Sequence, residues 1–491
     1  MRRHWQWQRL CAPDSSRQDN PVESAGPSSG TGDEQGNRAD GADDGETMTQ
    51  GVLRKIDRRL IPLLFVTYML NFMDKTILSS ASVFGLPEDT GLHGQEYSWV
   101  SSIFYFGYLA WSYPTTLLIA RLPPAKYMGS NTLFWGAVVA LTAACTDYDG
   151  LLSVRFLLGV AEATVTPTFV FVTSTWYTRD EMPVRTGIYL LAFGIGHIHD
   201  SVGPWRWMFI ILGGATFLWA FVLLRLLPDS ISSASFLTPA ERQFASDRAV
   251  VAGTGRTEGA RWRREQVVEC LVDPKTWFLL ALELLTQIPN GGTQNFANLV
   301  IKSFGFSSLQ STLINIPYSM LSAAAIAGTG YLAGRYRQAN CLLLAAAVLP
   351  CVVGSALIYA RDSTSRGVQM LGYFLLSAGP AAMPLALSLV QVNYRGVTKK
   401  MTATALLFVA YCAGNIAGPQ LFRSSEAPLY ATAFRTIMVC YALVVVLALA
   451  LRVYLKWVNA RRAGEEGFAE PSSQAYEDVT DWKAAGFRYR Y

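Results

Sequence analysis

The chain has 491 residues, of which 51% are hydrophobic and only 16% charged, against roughly 25% charged in an ordinary soluble domain. Together with a positive mean hydropathy of +0.23, these proportions exclude a soluble enzyme, a nucleic-acid binder and a disulfide scaffold. A net charge of +5 is too small and too dispersed to imply a polyanionic partner.

Residues 1–50 are rich in Gly, Ser, Asp and Glu and read as a disordered cytoplasmic tail, because they cannot bury enough apolar surface to order themselves. A bilayer core needs about 20 apolar residues per helix. By that measure residues 52–227 form a first half, with spans near 60–83, 97–119, 129–146, 151–174 and 205–227. The run 186–198, TGIYLLAFGIGHI, is an abbreviated fifth span that covers about 20 Å of a core roughly 30 Å thick. Residues 228–276 make a polar central loop, and 277–460 a second half with spans near 277–301, 307–333, 340–360, 368–393, 400–422 and 430–455. Residues 461–491 read as a second disordered tail.

Counting 186–198 as a crossing, with both termini inside, places sixteen flanking Lys and Arg residues on the inner side and five on the outer. That is the positive-inside bias, and it disappears without the short span. The expected fold is all-α: twelve spans in two six-helix halves, the plan of transporters whose substrate site lies between the halves.

Charges within spans are costly and mark a pathway or a pair. In the first span Tyr68, Asn71 and Lys75 recur on one face, with Asp74 beside them. Lys75 falls ~21 Å from Ile61. In the fourth span Arg155 falls ~6 Å and Glu162 ~17 Å from the outer surface, sharing a face but too far apart axially to pair tightly. Two cations above a carboxylate suggest an anion site at Lys75 and Arg155, with Glu162 and Asp74 as proton-coupling groups. The alternative pairs Asp74 with Lys75 or Arg155 as structural ion pairs. In the seventh span Gln287, Asn290, Gln294 and Asn298 form a polar stripe interrupted by Pro289, Gly291 and Gly292. Such a stripe suits either a cavity wall or interhelical hydrogen bonding. Glu283, one turn earlier, is expected near the inner interface. Gly328, Gly330 and Gly334 predict close helix packing rather than a dinucleotide fingerprint. The cysteines lack CxxC spacing and the histidines lack ligand spacing, so no metal is expected.

The segments NFMDKT, RFLLGVAEATVTP, WYTRDEMPVRTGI, PWRWMFII, NGGTQNF and TKKMTATALLFVAYCAGNIAGPQLF resemble the anion:cation symporter branch of the major facilitator superfamily. Within it the chain is most similar to fungal allantoate permease-like transporters, over about residues 52–460. The resemblance implies a non-enzymatic, monomeric plasma-membrane transporter without a cofactor. It would take up a small organic anion, an allantoate- or vitamin-like carboxylate, driven by the proton gradient. It also implies anion binding and proton coupling at Lys75, Arg155 and Glu162. The 2–3 loop ARLPPAKYMGS departs from the pattern by lacking an Asp-Arg gating motif, and the fifth span is shorter than is usual. The alternative is a transport-inactive membrane nutrient sensor or an inactive product with a truncated helix.

Overall fold

A membrane interior offers no water to backbone polar groups, so the chain satisfies them within helices. The computed structural model describes residues 36–176, 205–251, 263–336, 338–360, 364–465, 479–484 and 487–491. The chain divides into two units, Met1–Gly51 and Val52–Tyr491. Of the first, residues 36–51 are described, and they are helical where composition reads as disordered. They belong to α1 (Gly36–Ala81). A helix already nucleated by an apolar span propagates at little further cost into adjoining polar sequence.

After α1 come α2 (Leu86–Asp89), α3 (Glu96–Arg121), α4 (Pro124–Thr142), α5 (Tyr148–Glu162), α6 (Val165–Trp176) and α7 (Trp205–Leu226). The central loop holds α8 (Pro239–Val251) and α9 (Arg264–Val272). The second half consists of α10 (Pro274–Ser303), α11 (Ser308–Arg335), α12 (Asn340–Tyr359), α13 (Arg366–Leu375), α14 (Ala382–Asn393), α15 (Val397–Gln420) and α16 (Ala431–Glu465), with a 3₁₀ turn joining α13 to α14. Each of the eleven longer predicted spans coincides with one of these helices or helical runs. Among the described residues, seven of them are long and apolar enough to cross a membrane. The short crossing predicted at 186–198 lies outside the described residues.

Close pairs organise each half: α3 with α5 and α4 with α7 in the first, α10 with α15 and α12 with α16 in the second. Small residues permit this, since helices in lipid associate through backbone approach rather than through a hydrophobic drive. A Cβ at Gly418 would run into the Ile288 carbonyl and stand 2.6 Å from the Gly292 nitrogen. Gly159 meets the Phe104 carbonyl in the same way. The packing expected at Gly328, Gly330 and Gly334 is not there: a Cβ at any of the three meets open space on the exposed face of α11. Small residues allow close approach, but they do not specify a partner.

The central loop is pinned to both halves. Ile231, Ala234, Leu237 and Ala245 join a core with Val52, Leu60, Phe169 and Leu223, while α9 packs on α15. The second tail is also structured where it is described. Residues 479–484 and 487–491 form a strap across the ends of α9, α10, α14, α15 and α16. Asp481 is fully buried and pairs with Lys275 at 2.6 Å and Lys399 at 2.9 Å. Lys399 also meets Glu269 at 2.8 Å and Asp273 at 3.0 Å, and Lys275 pairs with Asp273. The Asn393 side chain donates to the Arg490 carbonyl and accepts from the Arg490 nitrogen, both at 2.8 Å. Tyr489 donates to Asp481 at 2.7 Å, and its nitrogen donates to Asn459 at 2.9 Å. Burial alone would push the Asp481 carboxyl up, but the Lys275 and Lys399 ammonium groups outweigh it and hold the group below the usual carboxylate range.

Two outcomes follow from this packing. Gly418→Ala is expected to cost about 1–3 kcal/mol, read as a lower melting temperature in detergent. Gly328→Ala, with open space around it, should leave the melting temperature unchanged or raise it. Asp481→Asn takes one carboxylate from two buried lysines that keep Asp273 and Glu269, and should cost about 2 kcal/mol at neutral pH. Because the folded-state carboxyl is depressed, its contribution is complete above the ordinary aspartate value of about 3.9 and is lost as pH falls through the lowered value. The gap in melting temperature between Asp481→Asn and wild type should therefore persist to about pH 4 and close below it.

Candidate functional site

The N-terminal half builds its polar centre on α1 and α5. The Asp147 side chain caps α5 by accepting from the Gly150 nitrogen at 2.9 Å, which fixes where the helix starts and so the heights of Arg155 and Glu162. The helix breaks just past Glu162 before resuming as α6, and Asn131 of α4 donates to the Ala161 carbonyl at 2.6 Å beside the break. Glu162 is fully buried. Its Oε2 accepts from Asn71 at 2.7 Å and lies 3.5 Å from the Lys75 ammonium. Lys75 also rests over the rings of Tyr108 (5.4 Å) and Phe104 (5.9 Å), a placement that favours a cation desolvated by aromatic faces. Its side chain is 14% exposed, whereas that of Glu162 is closed off. Tyr68, half-buried on the same face, packs its ring 5.9 Å from that of Phe169.

Asp74 and Arg155 are placed differently from either arrangement considered in the sequence. Asp74 Oδ2 accepts from the Trp135 indole at 2.6 Å, and Oδ1 has no partner. Arg155 is buried, with its guanidinium 5.6 Å from the Phe209 ring of α7. Its Nε and Nη2 have no hydrogen-bond acceptor. Among the described residues neither Asp74–Lys75 nor Asp74–Arg155 comes within ion-pair distance. Lys75, not Arg155, is the cation that reaches Glu162.

The C-terminal half contributes amides. A cavity of about 40 Å³ lies between α1 and α10, α11 and α13, lined by Thr76, Asn290, Gln294, Asn315, Tyr318 and Tyr373 among others. Asn290 and Gln294 of the stripe thus face open space. Asn298 does not: its side chain donates to Ser80 at 3.2 Å and accepts from Asn315 at 2.5 Å, and its nitrogen donates to Ser79 at 3.2 Å. It ties α10 to α1 beside the cavity. Gln287 also turns inward, accepting at 3.1 Å from both Asn290 and Asn415. Glu283 is not at an interface; it is buried and accepts from Gln287 at 3.1 Å. Sequence reasoning passed over Trp135, Asn315, Tyr373 and Asn415. The amides of LINIP and AGNIAG were visible as single polar residues in apolar helices, but a lone amide has no periodicity to single it out.

Contacts between the halves gather at the face opposite the strap. Besides Asn298, Tyr97 of α3 donates to the Asn295 carbonyl at 2.9 Å, Ser102 to the Ile416 carbonyl at 2.8 Å, and Gln420 to Ser102 at 3.0 Å. Deeper in, Tyr108 stacks on Phe408 at 5.5 Å and Tyr105 meets Tyr411 at 6.0 Å. The structure is closed at that far face.

Comparison with known proteins places this geometry. The sequence description Major Facilitator Superfamily matches residues 64–419. An uncharacterized transporter of Schizosaccharomyces pombe is 33% identical, covering 92% of this chain and 90% of its own. The allantoate permease of Saccharomyces cerevisiae is 32% identical over 89% of this chain and 85% of its own. The thiamine pathway transporter THI73 of the same yeast is 28% identical over 90% and 86%. Among solved structures, a bacterial homolog to the human lysosomal transporter Spinster superposes with a TM-score of 0.59 at 15% identity, covering 80% of this chain and 95% of its own. That likeness supports the fold, an all-α bundle of the facilitator type.

Asn298→Ala removes the one side-chain hydrogen bond of Asn298 that crosses the halves, to Ser80, worth about 1 kcal/mol, so the open far face should gain about fivefold in population. A Thr76→Cys probe in the cavity wall should then react correspondingly faster with a thiol reagent applied from that face. An unchanged rate would show that Asn298 does not hold the face shut.

Proposed function

The chain belongs to the major facilitator superfamily and is a multi-pass membrane transporter, and from that premise we propose that it takes up a small organic anion together with protons by alternating access. The observation that carries this reading is the Lys75–Glu162 pair at 3.5 Å, in which the lysine is partly open and the glutamate is sealed. An incoming carboxylate draws Lys75 to itself through charge-assisted hydrogen bonds. Glu162 then loses its counter-ion in a low-dielectric site and takes up a proton, so anion and proton load together. Arg155 supplies a second cation, its buried Nε and Nη2 being donors without an acceptor, and Asp74 balances it. Asn71 orients Glu162, while Tyr68, Asn290, Gln294 and Asn298 shape the remainder of the path.

The allantoate permease relative supports a substrate of the allantoate or vitamin-like carboxylate kind. The flanking Lys and Arg residues support a strap face in the cytoplasm, with both termini there. The protein acts as a monomer in the plasma membrane, without a cofactor, driven by the proton gradient.

Reconstituted protein tested with radiolabelled allantoate, nicotinate, pantothenate and biotin should accumulate at least one of them under an imposed pH gradient. Lys75→Gln and Arg155→Ala should each weaken binding of that anion by about tenfold or more. Glu162→Gln should abolish accumulation while preserving exchange of labelled for unlabelled anion. A Glu162→Gln protein that still concentrates its substrate would overturn the coupling assignment.

A further inference from the structure

A second carboxyl of the bundle has no role in the scheme above. Glu283 lies nine residues beyond Pro274, about 14 Å along α10, and is 1% exposed. Its Oε1 accepts from Gln287 at 3.1 Å, and its Oε2 has no hydrogen-bond partner. Among the described residues no charged or titratable side chain of α11, α14, α15 or α16 comes within ion-pair distance of it or acts on it electrostatically. An ionised carboxylate so placed has neither water nor a counter-ion, and burial on those terms is strongly unfavourable. The closed structure therefore suits the neutral acid.

What separates this residue from an inert buried acid is where its neighbours lead. Gln287 passes from Glu283 to Asn290 and Asn415, each at 3.1 Å, and Asn290 lines the cavity. A continuous row of amides thus runs from the cavity to the carboxyl, a polar track of the kind that ordered water occupies.

We propose that Glu283 is a proton-binding residue of the C-terminal half, loaded and emptied through the cavity along the Gln287–Asn290–Asn415 track. In the loading step the carboxylate oxygen bonds a proton given up by a hydronium in the cavity, which leaves as water. In the reverse step the O–H bond breaks and the proton returns to water. As a contribution to transport this rests on the proton-coupled reading above, and it adds a second proton site to Glu162.

The decisive test is infrared spectroscopy of the full chain in proteoliposomes, following the C=O stretch of protonated carboxyl groups. Wild type should show a band that exchanges its proton for deuterium within minutes and disappears on raising the pH. Glu283→Gln should lack that band, Glu162→Gln should keep it, and Gln287→Leu should shift it by removing its hydrogen bond. The Gln287→Leu shift assigns the band even if Glu283→Gln is poorly folded. A band untouched by these Glu283 and Gln287 variants would overturn the proposal, as would one that neither exchanges nor titrates. In transport, with whichever panel anion is carried, Glu283→Gln should reduce the protons moved per anion by one. If wild-type uptake ignores the pH gradient altogether, the proton-coupled reading fails, and the infrared titration still decides whether Glu283 exchanges a proton.

Discussion

A carboxylate held at zero exposure inside a helix bundle must be answered by donors, and the answer that Glu162 receives from α1 constrains the whole N-terminal half. Asn71 and Lys75 reach it only if α1 and α5 cross at one height and rotation. The Asp147 cap sets the height, and the Gly159 approach to Phe104 sets the distance of α3. Asp74, one residue before Lys75, thereby takes the indole of Trp135 on α4 as its donor. The charges are not decorations on a finished bundle; their desolvation cost selects the arrangement of the helices that carry them.

The spans were legible because each is an apolar run of bilayer length, and depth along a helix is simple arithmetic. Depth also picked out Lys75, Arg155 and Glu162. What depth leaves undetermined is azimuth. Arg155 sits at a plausible height but points to Phe209, so the true partner of Glu162 was readable only in three dimensions. Asn298 matched the period of its stripe yet bonds Ser80 and Asn315, because both of those polar side chains stand within its reach at the cavity wall. The strap was illegible for a different reason. Asp481 finds its ion-pair partners at Lys275 and Lys399, far away in sequence, and composition alone scores such a segment as polar and unstructured.

Each half is stiffened in its own way. The first gains a core from residues 231–245, which cover the ends of α1, α6 and α7. The second is bound by the Lys275–Lys399–Asp481 cluster. Between the halves the contacts are single hydrogen bonds and ring stacks near the far face. Strong bonds within halves and weak ones between them are what rigid-body alternation about a central site requires.

The strap also bears on how the protein is made. Asp481 is translated after every helix it touches, so Lys275 and Lys399 are first met only by Asp273 and Glu269. Until Asp481 arrives, those two lysines face two carboxylates, and the bonds that tie the strap to them are still unmade. The buried aspartate thus makes closure of the helix ends on this face a late event of synthesis, one that follows the making of every span it ties together.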